Sequence, residues 1–152
     1  MRSNPIPLMA GILLISLSLK AQDDSRYTLR LASGPFIPGK NITSPQLRGL
    51  EQRQQKVSGK SFGIIQFEQV PGEAQKISLK QTGITLLDYI PSFAYTATFT
   101  GLPDSAFLRQ MKVRSIVELT AAQKMQPALA AGNFPARAVK VAGTVDVWIS
   151  FP

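Results

Sequence analysis

The chain contains no histidine and no cysteine, which decides much of what its side chains can do. A Ser-His-Asp arrangement needs an imidazole to take the serine proton, and a thiol nucleophile or a disulfide framework needs cysteine. Zinc sites lose their usual nitrogen and sulfur ligands for the same reason. The nine carboxylates never fall into the spaced Asp/Asn/Gly pattern of a calcium loop. Asp23 and Asp24 are adjacent and read as solvated. Glu68, Asp88 and Glu118 are dispersed over candidate strands, a poor basis for paired-carboxylate hydrolysis. No phosphate-cradling glycine loop is present. No cofactor, metal or catalytic triad is therefore expected in these residues, and the chain reads as a binding or folding module.

The basic residues point no further. Seventeen Lys and Arg against nine Asp and Glu give a formal charge of +8. The densest cluster, Arg48, Arg53, Lys56 and Lys60, lies in "PQLRGLEQRQQKVSGK" without the interleaved aromatic residues on which bases stack. It reads as a solvated linker or a short exposed helix begun at Ser44 and Pro45, and no nucleic-acid partner is expected.

The N-terminus carries an address. Arg2 precedes an apolar run from Ile6 to Leu19, and "KAQDDS" then turns polar, the pattern of a signal peptide over residues 1–21 cleaved between Ala21 and Gln22. The run is too short to span a bilayer comfortably, and without cysteine a lipid-anchored form is excluded. The expected location is secreted, periplasmic or cell-surface, with no stable membrane anchor. Loss of Arg2 and Lys20 would lower the charge from +8 by two, to +6.

Residues 22–60, rich in Pro, Gly, Ser and Gln, read as a flexible polar leader. From residue 61 the pattern tightens. Phe62 to Glu68 is a β-rich run; Pro71 and Gly72 precede a weakly amphipathic helix with Ala74 and Ile77 on its inner face, stopped by Gly83. "ITLLDYI" (84–90) is a strand, "PS" a tight turn, and "FAYTATFT" (93–100) a strand with Phe93, Tyr95, Ala97 and Phe99 on one face and Ala94, Thr96 and Thr98 on the other. Gly101 and Pro103 open a helix with Ala106, Phe107 and Met111 inward, and "RSIVELT" (114–120) is the last strand. The order is β-α-β-β-α-β, which predicts an α+β, ferredoxin-like sandwich over residues 61–130, with helices on one sheet face and the other, bearing Thr96 and Thr98, left open.

"FGIIQFEQ", "TGITLLDYIPSFAYTATFTG" and "LRQMKVRSIVELTAAQKMQPAL", in this order and spacing, resemble the N-terminal pro-region of secreted subtilisin-like serine peptidases. The resemblance implies an intramolecular chaperone and temporary inhibitor whose partner is a subtilisin-like peptidase domain, in cis if the chain continues, so that the full-length protein would be a serine endopeptidase. It places Thr96 and Thr98 on the docking face. It lays Thr120, Ala121, Ala122, Gln123, Lys124, Met125 and Gln126 along the substrate cleft as an extended exit. Subtilisin pro-regions carry an acidic pair at the end of the fourth strand where this chain has Thr120 and Ala121, so helix capping of the enzyme is not expected here. Residues 131–152 complete the exit, and Val145 to Phe151 alternate as a further strand, read as the opening of another module in an incomplete chain. The alternative reading is a self-contained secreted or surface adhesion module that uses the fold only as scaffold.

Overall fold

The computed structural model describes residues 24–149. The expected signal peptide, with Ala21 and Gln22, and residues 150–152 of the expected terminal strand lie outside them. The architecture is α+β. A hairpin, β1 (Leu29–Leu31) and β2 (Gly34–Phe36), is followed by α1 (Ser44–Arg53), β3 (Ser61–Phe67), α2 (Glu73–Gln81), β4 (Ile84–Ile90), β5 (Ala94–Phe99), α3 (Ser105–Gln110) and β6 (Val113–Val117). Two single-turn helices, α4 (Ala121–Lys124) and α5 (Pro127–Ala130), and a 3₁₀ turn at Ala136–Ala138 follow among the described residues. The larger sheet has the order β4-β5-β3-β6, every neighbouring pair antiparallel.

Local chemistry accounts for the boundaries. Gly72 caps α2, its amide donating to the Gln75 side chain at 3.0 Å. Gly83, just beyond the helix, takes φ +91, which an L side chain adopts only with strain, and a Cβ there would meet the Thr100 hydroxyl. Asp104 caps α3 by accepting from the amides of Ala106 and Phe107, both at 2.8 Å.

The main core lies between one sheet face and the helices: Ile65, Phe67, Tyr95, Ala97, Phe99 and Ile116 meet Leu47, Leu50, Leu79 and Leu108. Each fully buried leucine contributes about 2 kcal/mol. The inner helix faces differ from the sequence expectation. In α2 it is Leu79 that is buried, while Ile77 is 58% exposed and Ala74 also faces solvent. The inner stripe is made of 75, 76 and 79, and two of these are polar: the Gln75 side-chain amide donates to the Met111 carbonyl and the Lys76 ammonium lies 6.0 Å from the Tyr95 ring centroid. Long side chains can bury their stems while the polar ends find partners, so an apolar count alone misplaces the face. In α3, Leu108 and Ser105 are buried, Phe107 and Met111 half-buried, and Ala106 exposed.

The segment expected as a flexible leader is instead structured. Residues 24–60 supply β1, β2 and α1, and bury Tyr27, Leu29, Ile42, Leu47 and Leu50. The helix does begin at Ser44 with Pro45 in its first turn, as its sequence predicts, but Leu47 and Leu50 fasten it to the main core. Residues 145–149 pair with no strand, and Trp148 stands fully in solvent.

Candidate docking face and exit segment

The register assigns the second sheet face residue by residue. Phe62 pairs with Thr98, Ile64 with Thr96 and Gln66 with Ala94; Thr85 pairs with Thr98 from the other side, and Val117 with Ile64. Thr96 and Thr98 therefore share this face with Phe62 and Thr85, as the alternation in β5 predicts. The expectation of a wholly open face needs correction. The β1–β2 hairpin covers its Ile64 and Ala94 end with Leu29, Leu31 and Phe36, forming a second, smaller apolar cluster with Ile90, Val117 and Leu119. What stays uncovered is the half around Phe62, which is 44% exposed, with Thr85, Thr96 and Thr98 half-buried beside it.

Thr96 has a structural duty as well. Between Leu86 and Tyr89 the β4–β5 register shifts, and the Asp88 amide donates to the Thr96 hydroxyl at 3.0 Å, so the side chain supplies the bond that the bulge removes from the ladder.

Beneath the hairpin lies a buried polar cluster that sequence pattern did not single out. The β3–β6 register also shifts, at Gln66/Phe67, leaving Arg114 as the extra residue between Val113 and Ser115. Arg114 and Ser115 accordingly both reach the Gln66 side-chain oxygen, at 3.3 and 3.4 Å. The Gln66 side-chain nitrogen donates to the carbonyls of Tyr27 and Ser92, each at 2.9 Å. The Ser92 hydroxyl donates to the Thr28 carbonyl at 2.8 Å, and Arg114 donates to the Pro38 carbonyl and, at 3.2 Å, to the Asp24 carboxylate. Further along the strap, the Asn41 side chain donates to the Ile116 carbonyl at 2.6 Å and accepts from its amide at 2.8 Å. The only sequence signal for this cluster is the presence of Gln and Arg inside otherwise apolar strand runs.

The exit is not extended. Thr120 caps α4, its hydroxyl accepting from the Gln123 amide at 3.3 Å while the Gln123 side chain accepts from the Thr120 amide at 3.0 Å, a reciprocal capping box. Ala121, Ala122, Gln123 and Lys124 form the helical turn, Met125 ends it with extended backbone, and Gln126 caps α5. No residue of either turn is buried. Among the described residues no group of three or more His, Cys, Asp or Glu could hold a metal ion, and no helix is long and apolar enough to cross a membrane.

The profile of one protein family, described as a Domain of unknown function (DUF8729), matches residues 30–120. This span takes in the hairpin from its second residue, α1 and the whole four-stranded unit. No curated protein and no solved structure matches the chain.

Proposed function

We propose, for a chain that belongs to the family described as Domain of unknown function (DUF8729), the role of pro-region of a secreted subtilisin-like serine peptidase, assisting the folding of the peptidase domain and inhibiting it until cleavage. The single observation that carries this reading is the half-uncovered sheet face around Phe62, Thr96 and Thr98, joined through β6 to a surface segment with no buried residue. The element order from β3 to β6, with the sheet order β4-β5-β3-β6, supports the ferredoxin-like arrangement that such a role needs. Export is part of this reading and is supported by the signal-peptide pattern of residues 1–21. In this reading the uncovered half-face docks on the peptidase and residues 120–126 enter the cleft. The two helical turns there must open first. Isolated helices of four residues have little stability of their own, so strand addition in the cleft readily offsets their loss.

The test uses the chain from Gln22 to Pro152 and the subtilisin-like peptidase domain encoded downstream of it. Competitive inhibition of peptide hydrolysis and faster recovery of activity on refolding are expected. If neither occurs, or no such domain is encoded, the role is lost. A second reading, a secreted or surface adhesion module, is favoured by the hairpin that already covers half of the face.

A further inference from the structure

The clamp formed by Gln66, Ser92 and Arg114 holds residues 24–38 mainly through atoms that every peptide possesses. Three side chains, from β3, β6 and the β4–β5 turn, donate to main-chain carbonyls, those of Tyr27, Thr28 and Pro38. Two features of the strap add selectivity: the Asp24 carboxylate on Arg114 and the Tyr27 ring, which lies 4.1 Å from the Arg114 guanidinium carbon and edge-on to Phe93 at 6.0 Å.

The strap does not saturate the site. Arg114 is 4% exposed, yet its Nε has no hydrogen-bond partner, and Asp24 reaches the guanidinium with one oxygen at 3.2 Å while 59% of its own side chain stays exposed. A guanidinium binds carboxylate best through two parallel bonds, and a buried donor left without an acceptor is costly. The floor under the strap is also suited to exposure. Gln66 and Ser115 are polar, and the apolar residues the strap covers belong to the smaller cluster rather than the main core.

We propose that this clamp is a binding site for a peptide supplied in trans that forms a single turn with a carboxylate three residues before an aromatic ring, as Asp24 to Tyr27 do with the Tyr27 amide donating to the Asp24 carbonyl at 3.1 Å, and that residues 24–38 occupy it as an exchangeable intramolecular ligand. The incoming carboxylate bridges Nε and Nη2 of Arg114, its aromatic ring takes the place of Tyr27, and its carbonyls take those of Tyr27 and Thr28. The proposal does not depend on the pro-region role.

The probe is an acetylated, amidated peptide of residues 22–31, QDDSRYTLRL, titrated into the chain from Gln22 to Pro152 while the Arg114 Nε–H signal is followed by NMR. The tethered strap competes at an effective concentration in the millimolar range, so the intact chain binds the peptide weakly, and the Asp24→Asn, Tyr27→Ala double variant is expected to bind it about tenfold or more tightly. Peptide carrying Asn in place of Asp24 should bind that variant about tenfold more weakly than the unaltered peptide, the loss expected of one charged contact. An Arg114 signal that does not move in the double variant, equal affinity for the two peptides, or a double variant without cooperative unfolding would each overturn the proposal; the last would make the strap a permanent part of the core.

Discussion

Gly63, on β3, lies so close to its sheet neighbour β6 that a Cβ on it would be 2.6 Å from the Val117 carbonyl oxygen and 3.4 Å from the Phe99 ring. Backbone at that distance cannot move aside as a side-chain tip can. Gly63→Ala should therefore destabilise the fold by about 3 kcal/mol, at the upper end of overpacking costs, despite the better strand propensity of alanine. A urea midpoint within error of the unaltered chain would contradict it.

While the strap is docked it adds to the stability of the fold, and Leu29 is its anchor, fully buried against Ile64 and Ala94. Leu29→Ala should cost about 3 kcal/mol, as core leucine truncations do, whereas Ile77→Ala on exposed helix surface should stay within about 0.5 kcal/mol. Comparable losses at the two sites would return residues 24–60 to the status of a leader.

Removing Arg114 strands the Pro38 carbonyl and leaves the Gln66 oxygen with the Ser115 hydroxyl at 3.4 Å, while the Asp24 carboxylate is already mostly exposed. Arg114→Met should thus cost about 2 kcal/mol, and Asp24→Asn, which touches only an exposed carboxylate, less than about 1 kcal/mol. Equal effects in chemical denaturation would mean that the ion pair, not the carbonyl clamp, holds the strap.

On the pro-region reading, Thr98→Glu places a charge in the uncovered half-face without breaking a ladder bond. Inhibition of the cognate peptidase should weaken about tenfold or more while the thermal midpoint stays put. Thr96→Glu is the less clean variant because the hydroxyl also holds the Asp88 amide. An unchanged inhibition constant for Thr98→Glu would move docking off this face.

Strand β4 is legible in the sequence because Gly83 and Pro91 punctuate it, and the two faces of β5 because its alternation is clean. The strap is not legible. Its hold comes from Gln66, Ser92 and Arg114 reaching carbonyls as many as 76 residues away, bonds that impose no periodicity on residues 24–38. Burial of Leu47 and Leu50 likewise depends on tertiary contact, since a helix with two apolar positions in ten reads as solvated. The helical turn at the exit has a local signal, since Thr120-x-x-Gln123 is a capping box visible in the sequence, whereas the pro-region resemblance implies an extended segment there.

The Asn41 side chain, paired to both backbone groups of Ile116, stands where another strand would bond to β6. Among the described residues the opposite margin, β4, has no strand beyond it, and a bulge interrupts it at Leu87 and Asp88. A sheet with one sealed margin can be extended on a single side. Two such molecules meeting at their β4 margins use the open margin of each larger sheet, and growth at β6 first requires prising Asn41 away, which leaves the short edges of the β1–β2 hairpin as the remaining places to pair.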